Sequence, residues 1–250
     1  MPRITVAFLG QCHTSGYPGV APEATFPQVC RRAVEAFRPG TTLELVFAPY
    51  QHPSELPPSA EQALRAHPRI VVIEVIGWLA VKGGRAADLS RLPARVRTRY
   101  ERMKHFREVS QRLAAQVPDT LTRVAANAHE ILRPLLSRHP RPTVAEYESY
   151  VDETVAAIAR VPDTHVVIQG PGAPNLELDA RGLPVDTEER YRAVEAMAKR
   201  VAEQRGALYV DRWDSVTSTF FMPGDIRPRA DGHSMWGHLL ARELLGAGLV

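Results

Sequence analysis

Apolar residues run without a break from Ile4 to Leu9 and stop at Gly10, the pattern of a strand buried on both faces of a parallel sheet. Phe26, Val29, Cys30, Val34 and Phe37 then recur at helical spacing up to Pro39-Gly40, which predicts a first helix with one face on that sheet. Leu43 to Phe47 predicts a second strand, residues 60–66 a short helix, and Ile70 to Ile76 a third strand that is apolar throughout except for Glu74.

A long helical stretch follows. Its first stripe is Tyr100, Met103, Phe106 and Val109, its second Leu121, Val124, Ala128, Ile131 and Leu135, and its third Tyr147, Val151, Val155 and Ile158. Thr143 with Glu146 three residues on is a capping box that predicts the start of the last of these helices. The β pattern resumes at His165 to Gln169, before Gly170-Pro171-Gly172. A helix across Glu188 to Gln204, a fifth strand at Leu208 to Val210 and a closing helix at Leu239 to Leu245 complete the chain. Strands alternating with helices predict a single α/β domain over residues 1–250. It is a doubly wound, five-stranded parallel sheet flanked by helices in the flavodoxin-like manner, with an extended helical insertion at about 83–161. In such sheets the ligand crevice lies beyond the carboxyl ends of the strands.

Composition bounds the function. With 44% hydrophobic and 24% charged residues, the 250-residue chain can bury a full core, which excludes disordered and fibrous classes. The first residues carry no secretory pattern and no stretch has the length of a membrane span, so a cytoplasmic protein is expected, without membrane partners. Two cysteines, Cys12 and Cys30, are read as thiols rather than as a bridge. Between Arg85 and Arg112 nine basic residues face three acids, a local +6 in a chain of net +3. A solvated helix face accounts for it, and a docking surface for an acidic partner is the alternative. Without interleaved aromatics or a reading motif, no nucleic-acid partner is assigned.

Two blocks stand where the crevice rule directs attention. Gly10-Gln11-Cys12-His13 follows the first strand, and Asp231-Gly232-His233 precedes the closing helix. With the order of elements, they give the chain a resemblance to the SGNH (GDSL-type) hydrolases, which carry Gly-Asp-Ser after strand one and an Asp and a His before the last helix. Gly10-Gln11-Cys12 and Gly16 fall on the first block, Ala48 to His52 on the glycine block, and Gly77-Trp78-Leu79 on the Gly-x-Asn-Asp block. Gln11 and Cys12 replace Asp and Ser, no residue matches the oxyanion asparagine, and the last block is Asp-x-His rather than Asp-x-x-His.

The resemblance implies an acyl-transfer enzyme with Cys12 as nucleophile, His233 as general base and Asp231 as the group that fixes the imidazole tautomer. Beside the Cys12 N–H, the oxyanion candidates are the Gly77 N–H, the Gln51 side chain and Asn175, which could equally cap its own turn. Cys30 belongs to the first helix's core stripe. His13 and His52 could line the same crevice, with a supporting or solvent role expected of each, and His238 is expected to be a structural residue and the substitute for His233. The histidine spacings fit no zinc signature, so no metal or cofactor is assigned. A thiolate exchanges thioesters at little energetic cost, so the expected donor is a thioester, on coenzyme A or a carrier protein, with hydrolysis or transfer as outcome. An oxyester esterase or deacetylase and a non-catalytic binding protein are the alternatives. The insertion is open to use as a lid, a docking site or the interface of a homodimer.

Overall fold

The apolar runs form the sheet that their pattern predicts. In a computed structural model that describes residues 2–17, 19–82, 142–175, 186–215, 218–222 and 227–250, five strands lie parallel in the order β2-β1-β3-β4-β5. They are β1 (Arg3–Gly10), β2 (Thr42–Pro49), β3 (Ile70–Glu74), β4 (His165–Gln169) and β5 (Leu208–Val210). The chain moves outward from β1 to β2, then returns to the other side of β1 and continues through β3, β4 and β5. The winding direction therefore reverses between β1 and β3, and there the strand ends splay open into a crevice.

Alternation along the central strands feeds two cores. Val6 and Phe8 of β1, with Ile70 and Val72 of β3, face α2 (Phe26–Phe37) and α7 (Ala230–Gly246), packing on Phe26, Cys30, Val34, Leu240 and Leu244. Ala7, Leu9, Val71 and Ile73 face the opposite layer of α3 (Leu56–Leu64), α4 (Gly77–Lys82), α5 (Val144–Ile158) and α6 (Thr187–Arg205). Burial on both faces is why the strands read as continuous apolar runs. The capping box that predicts α5 is formed: the Glu146 N–H donates to Thr143 Oγ1 at 3.1 Å, and the Thr143 N–H to Glu146 Oε2 at 2.7 Å. Its stripe of Tyr147, Val151, Val155 and Ile158 is buried in the core, so α5 serves as a crossover helix between β3 and β4. Residues 83–141, with the first two predicted stripes and the basic run, lie outside the described residues.

At the C-terminus the chain departs from the expected pattern. The closing helix begins at Ala230, nine residues before the predicted Leu239, so Asp231-Gly232-His233 is its first turn and not a loop. Gly237 lies in the middle of this helix. A Cβ there would lie 2.5 Å from Val29 Cβ and 2.8 Å from the Phe26 carbonyl oxygen, so glycine lets α7 press directly onto α2.

Candidate active site

The parallel register sets Leu9 of β1 beside Ile73 of β3, which brings the next residues, Gly10 and Glu74, together at the mouth of the crevice. A Cβ on Gly10 would stand 2.7 Å from Glu74 Oε2, so the absent side chain is what admits the carboxylate. Beyond Gly10 the chain turns at Gln11 into the single turn α1 (Cys12–Ser15), where Thr14 Oγ1 donates to the Gln11 carbonyl at 2.7 Å. Cys12 opens this turn, half-buried, and forms no disulfide. His13 follows, and its Nδ1 bonds Glu74 Oε1 at 2.8 Å across the switch point.

Glu74 is 1% exposed and is held from two sides. Arg212, just past β5 and 2% exposed, donates from Nη1 to Glu74 Oε1 at 3.2 Å and from Nε to the Gly170 carbonyl at 2.6 Å, while stacking over Trp236 at 4.3 Å. Burial alone would raise the Glu74 pKa. The charges and hydrogen bonds of His13 and Arg212 outweigh it and bring the group down to about 2. Its backbone is fixed as well: Tyr50 Oη donates to the Glu74 carbonyl at 2.5 Å, and the Ile76 N–H donates to Tyr147 Oη at 2.9 Å. With the Tyr50 proton so used, Tyr147 donates to the Tyr50 oxygen at 3.2 Å.

His233 sits in a different environment from the one a triad needs. It is fully buried on α7, stacked on Phe26 and 6.0 Å from the His13 ring between centroids. Tyr17 donates its one hydroxyl proton to the Pro228 carbonyl, so its oxygen accepts from His233 Nε2 at 2.8 Å. His233 Nδ1 then carries the lone pair and accepts from the Phe26 N–H at 3.2 Å. Both ring nitrogens are engaged, and the imidazole is a neutral Nε2–H tautomer. Burial pushes its pKa down to about 3, with the His13 charge and Arg212 in the same direction and Glu74 opposing.

The expected Asp231–His233 pairing is not formed. Two residues along a helix turn the side-chain direction by about 200°, so the two groups leave opposite sides of the first turn of α7. The Asp231 carboxylate instead accepts from Arg229 Nη2 at 2.9 Å and the Gly232 N–H at 3.0 Å. Gln51 is also displaced from its expected role, because it lies exposed past β2 and its backbone N–H donates to Glu55 Oε2 at 2.6 Å. Gly77 and Asn175 do line the crevice cavity. His52 closes a local turn on Ser54, and His238 bonds the Ser234 carbonyl on the exposed side of α7. Cys30 is in the core as expected, its thiol pKa raised to about 12 by burial, which leaves it inert.

No motif in the sequence singles out Glu74, Arg212, Tyr17 or Trp236, nor the pairing of His13 with Glu74. The sequence does carry one signal: Glu74 is the single charge in an apolar run, at the carboxyl end of a strand buried on both faces. Such a charge needs partners, and the elements that can supply them are the neighbouring strand exits. Among the described residues no cluster of three or more His, Cys, Asp or Glu side chains could hold a metal ion, and no helix is long and apolar enough to cross a membrane.

No family profile and no curated protein sequence matches the chain. Solved structures do. A lipase/acylhydrolase from Enterococcus faecalis is 14% identical with a TM-score of 0.60, over 98% of this chain and 96% of that one. An acetylxylan esterase from Geobacillus stearothermophilus is 13% identical with a TM-score of 0.59, over 96% and 94%. A carbohydrate acetylesterase from Sinorhizobium meliloti is 12% identical with a TM-score of 0.56, over 98% and 99%. The common fold spans nearly the whole of each chain.

Proposed function

We propose that this chain, whose fold is that of the SGNH (GDSL-type) hydrolases, is an acyl-transfer enzyme working at the crevice between β1 and β3. Cys12 is its nucleophile, and the His13–Glu74 pair serves as base and orienter. The observation that carries this reading is the 2.8 Å bond from His13 Nδ1 to a buried, ionised carboxylate. That contact fixes the ring and leaves Nε2 as the nitrogen able to exchange a proton. His233 has no nitrogen to spare, so the base role passes to the histidine beside the cysteine. The acyl chemistry named for the similar structures, an acylhydrolase and two acetyl-directed esterases, supports the reaction class.

His13 takes the Cys12 thiol proton as sulfur attacks the carbonyl carbon of a thioester, and returns it to the departing thiolate. This leaves an acyl group on Cys12 and a free thiol. Water then gives a proton to His13 as its oxygen attacks the acyl carbon. Cys12 leaves as thiolate, recovers the proton, and a carboxylic acid is released. An amine or alcohol in place of water turns hydrolysis into transfer. A thiol nucleophile favours thioester donors, coenzyme A or a carrier-protein pantetheine, because that exchange is nearly balanced in energy. The Gly77 N–H and Asn175, which line the cavity, remain the candidates to meet the developing oxyanion.

Intact-mass measurement on protein mixed with a short acyl thioester tests the reading. The parent protein gains one acyl mass and Cys12→Ala gains none; an equal adduct on Cys12→Ala ends it. An oxyester esterase is the second reading, favoured by the acetylesterase named among the similar structures. Faster turnover of an aryl acetate than of the matched thioester would select it.

A further inference from the structure

Arg212 enters the site from the exit of β5, buried, with its guanidinium fork divided between two partners. Nη1 donates to Glu74 Oε1 at 3.2 Å and Nε to the Gly170 carbonyl at 2.6 Å, and the group lies over the Trp236 ring at 4.3 Å. An arginine placed only to neutralise a carboxylate commonly takes both of its oxygens, fork to fork. This one takes the oxygen that His13 Nδ1 already bonds at 2.8 Å, while Oε2 lies against Gly10. Two nitrogens on one oxygen at those distances stand within about 6 Å of each other, the range in which a charge moves a neighbour's titration by about 1–3 pH units. Arg212 and His13 therefore share one carboxylate, and a positive charge on either opposes one on the other.

Resting on the acyl-transfer reading above, we propose that Arg212 is a positioning residue for the base: it takes up part of the Glu74 charge, so that the carboxylate orients His13 without holding the ring in its protonated form. A carboxylate that faces an imidazole alone stabilises the imidazolium, and an imidazolium accepts no proton from Cys12. With the guanidinium on the same oxygen the pull is divided, and the neutral ring keeps the Nδ1 bond that leaves Nε2 open. The bond from Nε to Gly170 fixes the guanidinium in that place. The other groups around His13 come from four elements and the Tyr17 turn. His233 of α7 is neutral, its pKa pushed down to about 3 by burial. Tyr17 faces the ring at 6.1 Å, with Arg227 over it at 5.0 Å; Tyr191 of α6 lines the same crevice, and Cys12 is the chain neighbour. Tyr50, beyond β2, and Tyr147 of α5 are kept protonated by burial and bond backbone at Glu74 and Ile76. Among the described residues, Arg212 is the positive group that reaches the carboxylate His13 uses.

The titration midpoint of the His13 ring resonance, in protein with isotopically labelled histidine and assigned by its loss in His13→Gln, gives a direct test. Arg212→Gln keeps a donor for Glu74 and loses the charge, and it raises the midpoint by about 1–3 pH units. Arg212→Lys keeps the charge and leaves the midpoint within about half a unit of the parent. Glu74→Gln leaves the ring facing Arg212 alone and lowers the midpoint by about one unit or more. The acid limb of kcat/KM for a short acyl thioester moves with the midpoint in each folded variant. A merely structural brace treats the Gln and Lys variants alike. Equal displacement in those two, or an unmoved midpoint in Arg212→Gln, would overturn the proposal; if Arg212→Gln does not fold, a midpoint in Glu74→Gln that stays or rises does the same. A midpoint that moves while the acid limb stays refutes His13 as the base. An acid limb set by His13 in the parent, with a midpoint indifferent to Arg212, refutes the positioning role alone.

Discussion

His13 and Glu74 are 61 residues apart in the chain and 2.8 Å apart in the fold, joined across the gap where the sheet reverses its winding. The contact depends on three local facts: the lack of a side chain at Gly10, the register of β1 on β3, and Arg212 arriving from β5 to neutralise the carboxylate. Removing any of them leaves a buried charge without its partner.

Glu74→Gln tests that dependence. The substitution keeps the shape but strands Arg212, so the variant loses about 3–5 kcal/mol in urea unfolding at neutral pH. The folded Glu74 titrates at about 2 against an ordinary 4.5, so its contribution is complete above pH 4.5 and lost as the pH falls toward 2. The gap between parent and variant therefore closes in acid. A constant gap down to the acid limit would show that packing, not the charge, is what the substitution removes.

His233 gives a separate acid window. Its folded pKa of about 3 lies below the ordinary 6.5, so the unfolded chain takes up a proton that the folded chain refuses. Stability is full above pH 6.5 and declines as pH falls, with a slope of at most about 1.4 kcal/mol per pH unit from this group. Between about pH 7 and 5, above the Glu74 window, His233→Asn should flatten the curve by up to one proton's worth of slope. An unchanged slope means the imidazole is not held neutral.

Gly237→Ala forces a methyl to within 2.5 Å of Val29 Cβ where α7 meets α2. Overpacking costs about 1–3 kcal/mol and helix propensity returns up to about 1, so the net effect is destabilising. A Tm lower by about 2–6 °C is expected for a chain of this size. A higher Tm would mean that the two helices have room to separate.

Tyr147→Phe removes the hydroxyl that receives the Ile76 N–H and braces Tyr50. The loss is about 1–3 kcal/mol for the orphaned amide. It also loosens the end of β3, so kcat should fall by more than KM rises; a change in KM alone would detach this network from the site.

Much of this architecture is legible in the sequence, because burial on both faces of the sheet writes itself as uninterrupted apolar runs. β1, β4, β5 and α2 stand within a residue or two of their patterns, and the Thr143–Glu146 box marks the start of α5. The site is less legible for physical reasons. Asp231-Gly232-His233 reads as a loop because Gly232 breaks the pattern, yet Gly232 is small so that Pro228 and Phe220 can pack against it, where a Cβ would lie 2.9 Å from Pro228 Cβ. Once the block is helical, its two chemical residues diverge. The pairings that replace them, His13 with Glu74 and Tyr17 with His233, span 61 and 216 positions, and no local pattern encodes such contacts. Arg212 is silent for the same reason.

In the proposed mechanism His13, and not His233, is the base. Steady-state kcat/KM with a short acyl thioester, measured for His13→Gln and His233→Asn after both are shown to be folded, tests it most directly. Loss of a general base lowers the rate by about 10²–10⁴. A fall in that range is expected for His13→Gln and less than about tenfold for His233→Asn. A full loss in His233→Asn with activity retained in His13→Gln would contradict it.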